Sequence, residues 1–161
     1  MSLAGYGLRP TPLRRWAGRP QLKRDPLGCD MAPQKTDISK PIPDERPLSK
    51  AEYDLARWML ENGESGGRAF LSQLNRARVV ARCPCGCASV DFEVEGRPSP
   101  SGGLRILGDF VFGGDSDLAG AFVFERNGVL AGFEVYGLAG DAPKTLPSPS
   151  ALRPFAAERG K

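Results

Sequence analysis

The chain contains no histidine at all. That absence excludes Ser-His-Asp and Cys-His nucleophilic catalysis in their usual forms, together with every zinc site that needs imidazole. Long apolar runs are also missing. Nothing approaches the ~18–20 residues that span a bilayer, and no signal-peptide core is visible. The expectation is a cytoplasmic protein with no membrane partner. An excess of one charge sign is absent from most of the chain. The net charge is +3, but residues 1–30 hold six Lys/Arg against two Asp, leaving the remainder close to neutral. A near-neutral body without a basic stripe excludes nucleic acid as the expected partner, because phosphate neutralisation supplies most of that affinity. The glycine pairs at 102–103 and 113–114 match no phosphate-binding pattern. Asp115 and Asp117 lack the rest of a calcium-loop ligand series.

What remains is an ordinary globular composition, 40% apolar and 25% charged over 161 residues, enough for one domain with a core. Proline punctuates both ends. Residues 1–46 read as a disordered Pro/Arg-rich leader, with Met31 as an alternative start. Residues 47–139 read as one domain, and 140–161 as an irregular Pro-rich tail.

Inside the domain, Ser49 with Glu52 forms a capping box, and Leu48 with Tyr53 occupies staple positions, so a helix is expected from Lys50 to about Glu61. Asn62-Gly63 supplies its C-cap, and a shorter helix follows over Arg68 to Asn75. Two β-rich runs, Ala77 to Cys83 and Ala88 to Val94, flank Pro84-Cys85-Gly86-Cys87 as a hairpin. Its register sets Val79 against Phe92, Ala81 against Val90 and Arg78 against Glu93. Further strands are expected over Leu104 to Phe112, Gly120 to Arg126 and Val129 to Leu138. In the first, Leu104, Ile106, Phe110 and Phe112 share the apolar face; the last two are joined by Asn127-Gly128, a strong type I′ signal. In that hairpin Phe122 is set against Phe133 and Phe124 against Ala131, on the core face with Val135. The fold class is α+β, two N-terminal helices packed on one face of a mostly antiparallel sheet of about five strands. The opposite face carries the charges and stays wet.

Cys83, Cys85 and Cys87 are the chemically live feature. In an extended strand the outer two lie ~13 Å apart, so three sulfurs reach one zinc only if Pro84 and Gly86 let the segment curl. Thiol redox chemistry competes, with Arg82 favouring thiolate. So does the plain reading of one small buried hydrophobe and two turn residues. Glu125 and Glu134 share the open face, where surface charge explains them as well as acid–base work.

The run from Arg78 to Phe92, RVVARCPCGCASVDF, resembles a motif of small uncharacterised bacterial proteins, as do Arg46 to Ser49 with Glu52, and Leu130 to Tyr136. The resemblance covers about residues 46 to 155 and implies no particular activity. In fold alone the chain resembles immunity proteins of bacterial toxin systems. The resulting expectation is a non-enzymatic protein-interaction module without cofactor. Its partner, another protein, meets Arg78, Arg82, Asp91, Glu93, Glu125, Glu134 and Tyr136. The alternative is a metal-binding or thiol-redox module on Cys83, Cys85 and Cys87, with zinc as its ion.

Overall fold

The capping box at Ser49 starts the first helix. The Ser49 hydroxyl accepts from the Glu52 amide at 3.3 Å, and the Glu52 carboxylate accepts from the Ser49 amide at 2.7 Å. In the computed structural model, which describes residues 40–155, helix α1 spans Lys50–Asn62 and buries Leu55, Ala56, Met59 and Leu60. The leader up to residue 39, with Met31 and Cys29, and residues 156–161 lie outside the described residues. A 3₁₀ turn, Gly67–Phe70, leads into the short helix α2, Leu71–Leu74.

The helices are not the first elements. Strand β1, Ile42–Pro47, lies where a disordered leader was expected, and pairs with β2, Ala77–Arg82. It has no apolar alternation to announce it. Backbone pairing holds it, and so does Arg46, which donates to both oxygens of buried Glu52 at 2.7 Å. Pro43 and Pro47 are tolerated because β1 is an edge strand.

The remaining strands are β3 (Val90–Val94), β4 (Arg97–Pro98), β5 (Leu104–Phe112), β6 (Ala119–Arg126), β7 (Val129–Gly137) and β8 (Arg153–Pro154). All pair antiparallel in one eight-stranded sheet ordered β1-β2-β3-β7-β6-β5-β8, with β4 beside β3. The mixed helix and antiparallel sheet architecture stands, but the strand count is higher and the sequence of strands is not a simple meander. Strand β7 returns to lie against β3.

Three register shifts correct the expected faces. Arg78 meets Glu93 and Val79 meets Phe92 as expected, but a bulge at Val80 then sets Ala81 against Asp91 and Arg82 against Val90. A second shift, at Leu107, turns Leu104 and Ile106 out to solvent while Leu107 and Phe110 enter the core. A third, at Ala131, sets Phe122 against Glu134 and Val123 against Phe133. The helix side of β6 is therefore Ala121, Val123 and Glu125, not Phe122 and Phe124. Apolar side chains on both faces of β6 left its orientation open. The small and β-branched side chains take the side where the helices crowd. Phe122, Phe124 and Tyr136 pack ring against ring on the other face, with Phe122 5.8 Å from each partner.

Helix α1 ends at Gly63 for a steric reason rather than a left-handed cap. Its φ is −87°, and a Cβ there would collide with the Leu107 carbonyl oxygen. That carbonyl accepts from the Glu64 amide at 2.7 Å, locking the helix end onto the β5 bulge.

Removing the Glu52 carboxylate takes two hydrogen bonds from the Arg46 guanidinium and leaves the Ser49 amide without its acceptor. Glu52→Ala is expected to cost about 2 kcal/mol of unfolding free energy, read from urea midpoints. Burial pushes the Glu52 pKa up, but the hydrogen bonds from Arg46 and Ser49 outweigh it and the net shift is downward. A depressed carboxylate stabilises the fold fully above its ordinary value of 4.5 and loses that contribution as pH falls through the lower folded value. Stability should therefore decline as pH falls from 4.5 through the lower folded value, with a flatter decline in Glu52→Gln.

Candidate metal centre

Cys83, Pro84, Cys85 and Gly86 form a β-turn closed by the Gly86 amide donating to the Cys83 carbonyl at 3.1 Å. Pro84 sits where a fixed φ suits the turn, and Gly86, at φ +82°, sends the chain back on itself. The strands stop sooner than expected, at Arg82 and Val90. The Ala88 amide does not pair across the hairpin but donates to the Pro143 carbonyl at 3.0 Å. The loop therefore runs over seven residues, 83 to 89, and its extra length makes the curl.

Ser89 fastens the curl to the sheet. Its hydroxyl accepts from the Val135 amide at 2.9 Å and donates to the Val135 carbonyl at 3.3 Å, standing in for a rung of the β3–β7 ladder. The Cys87 thiol reaches the same hydroxyl at 3.2 Å.

The curl brings the Sγ atoms of Cys83, Cys85 and Cys87 within 4.8 Å of one another. All three cysteines are free; Cys85 is exposed and the other two are half-buried. Cys83 and Cys85 are in direct contact at 2.9 Å. Burial pushes the Cys83 thiol up to about 12, with hydrogen bonding to Cys85 and Cys87 adding to it. The Cys85 thiol moves the other way, lowered by the hydrogen bond from Cys83 and then by the Cys87 backbone amide. The two shifts are opposite: the proton is favoured on Cys83, and thiolate is favoured at the outermost sulfur relative to a free thiol. The cluster opens into a cleft of about 320 Å³, whose walls also carry Arg82, Asp91 and Glu134.

The charged residues expected to share one open face are divided. Arg78, Glu93, Asp91, Glu134 and Tyr136 lie on the face away from the helices, by their pairing with residues of known side. Arg82 pairs with Val90 and falls on the other side. Glu125 is buried on the helix side, where it binds Arg105 at 2.8 Å and accepts from the Gly128 amide. It therefore does not share a face with Glu134. Tyr136 is engaged as well, donating to Asp109 at 2.9 Å; burial and that bond raise its pKa. Ser89 and the Pro143 carbonyl are the site's unanticipated members. No sequence signal marks them, since both act through contacts with distant segments.

No protein-family model, no curated protein and no solved structure matches this chain. Among the described residues no helix is long and apolar enough to cross a membrane.

The opposite shifts of Cys83 and Cys85 set an order of reactivity. In the metal-free protein, iodoacetamide near neutral pH should alkylate Cys85 first and Cys83 last, as read by tandem mass spectrometry of the peptide containing both. Equal rates at the two positions would contradict the hydrogen-bonded cluster.

Proposed function

We propose that this domain binds a thiophilic metal ion, zinc(II) in the first instance, through the thiolates of Cys83, Cys85 and Cys87. One observation carries the reading: three sulfurs from a five-residue segment lie within 4.8 Å of one another. An extended strand would hold the outer pair at ~13 Å. A metal ~2.3 Å from each of three tetrahedrally placed sulfurs separates them by about 3.8 Å. The shortest separation, 2.9 Å, must open and the widest must close, each by about 1 Å. That adjustment falls within a turn whose ends are fixed and whose exposed Cys85 is free to move.

The donor set selects the ion. Thiolates without imidazole favour zinc or copper(I) over magnesium, calcium or manganese. With three protein ligands, a tetrahedral ion keeps one position for an outside ligand, the arrangement of a reactive centre rather than a closed structural one. Binding must displace the proton held at Cys83, so affinity rises with pH.

Cobalt(II) reports such a site through sulfur-to-metal charge-transfer absorption. The full-length chain should bind one equivalent of cobalt(II), displaced by one equivalent of zinc(II). Cys85→Ser and Cys87→Ser should each weaken zinc(II) far more than Ser89→Ala, for which roughly a 10-fold loss is expected from an outer supporting residue. A chain in which the thiols of Cys83, Cys85 and Cys87 all titrate free and no stoichiometric metal is taken up would overturn the assignment.

A further inference from the structure

The wall facing the cysteines is chemically unlike them. Asp91 and Glu134 both line the same cleft, which is close to the size of a small organic molecule at about 320 Å³. They come from adjacent strands, Asp91 opposite Gly132 on β7 and Glu134 two residues further along. Burial raises the pKa of each; for Glu134 the charge of Asp91 adds to this, while Arg126 eases both. Asp91 is half-buried and Glu134 exposed, and two like charges lining one cleft favour a cationic neighbour.

A zinc ion with three thiolates carries a net charge of −1. Two carboxylates add two negative charges, and Arg82 in the wall and Arg126 beyond it return two positive ones. The loaded cleft as a whole therefore keeps one negative charge in excess, and its lining itself sets two carboxylates against Arg82 alone, Arg126 standing outside it. A ligand entering it meets a soft electrophile at one end and a negative field at the other.

We infer that the metal's open position receives a small aminothiol, its sulfur bound to the metal and its ammonium group set between Asp91 and Glu134. This rests on the metal reading above. A fourth soft donor suits an ion already chosen by thiolates. On binding, the ligand's S–H proton passes to solvent, its sulfur forms the bond to the metal, and the water that held the position leaves. No redox change is involved. The ammonium end provides the selection, since an anionic thiol of the same size meets repulsion where the aminothiol meets attraction.

The test is a charge series of thiols on the cobalt(II)-loaded full-length chain. Cysteamine, 2-mercaptoethanol and mercaptoacetate are titrated while the absorption bands are followed, with retained metal measured after gel filtration. The expected result is a saturable 1:1 spectral change, with cysteamine binding roughly tenfold or more tighter than mercaptoacetate and 2-mercaptoethanol between them. Asp91→Asn and Glu134→Gln should each compress that order without altering cobalt(II) affinity. Because Asp91 is the more buried, Glu134→Gln guards against a folding defect. Bands that ignore all three thiols, ligands that merely strip the metal, or an order that survives both substitutions would overturn the aminothiol site while leaving the metal site standing. Failure to bind cobalt(II) at all would remove both.

Discussion

A single hydroxyl holds the cysteine turn in place. Ser89 directly precedes β3, whose Val90 and Asp91 pair with β2 on one edge and β7 on the other, and its Oγ engages both backbone polar groups of Val135. These are residues 46 apart in sequence, brought together only because β7 returns to the middle of the sheet. Without that return, the cysteine turn would be the free tip of a two-stranded hairpin, and an isolated ribbon of that kind is at best marginally stable in water. With it, the turn is tied at three places: to Ser89 itself, to the Pro143 carbonyl through the Ala88 amide, and to its own Cys83 carbonyl through Gly86. A curl that would otherwise be one state among many becomes the resting state. Ligands held in position before the ion arrives lose less freedom on binding it.

The asymmetry among the thiols follows from the same anchoring. Cys83 is drawn toward the sheet, where desolvation disfavours thiolate, while Cys85 projects at the crest of the turn. A thiol that keeps its proton beside one that loses it makes a short hydrogen bond in place of a repulsion between two charges. In the proposed metal-bound state all three sulfurs would ionise, and the cation would replace the shared proton as the source of attraction.

Elements set by neighbouring residues were legible in the sequence. Helix α1 begins at its capping box, and the Asn127-Gly128 turn has positive φ at both residues, as its chemistry requires. Val79 and Phe92 are fully buried, opposite each other. Features decided by distant contacts were not legible. Strand β1 is held by Arg46 on Glu52 rather than by an apolar stripe. The bulges at Val80, Leu107 and Ala131 each reverse the facing of the residues beyond them, and an alternating pattern carries no mark of where such a reversal falls. The error spread furthest in β6, because both of its faces are apolar. The three cysteines were legible as ligands in type, but their convergence depended on Ser89 and Pro143, two segments whose positions no local rule predicts.

The division of labour between core and cluster bears on what a bound ion would be for. Small domains that need a structural metal have too little apolar surface to fold without it. This one buries Phe92, Phe110, Phe124 and Phe133 almost completely, along with Leu55, Met59, Leu60, Leu107 and Leu130. Trp58 packs edge-on to Phe110 at 5.0 Å, joining helix to sheet far from the cysteines. Gln73 fixes the β6–β7 hairpin by hydrogen bonds to the Gly128 carbonyl and the Leu130 amide, at 2.9 and 2.8 Å. None of these contacts passes through the cysteine turn. The turn itself is closed by backbone hydrogen bonds and a serine, so it too can stand without a cation. An ion held at such a place contributes little that the fold lacks. On the proposed reading its binding energy would remain available for a ligand in the cleft, and its fourth position could exchange without threatening the domain that carries it.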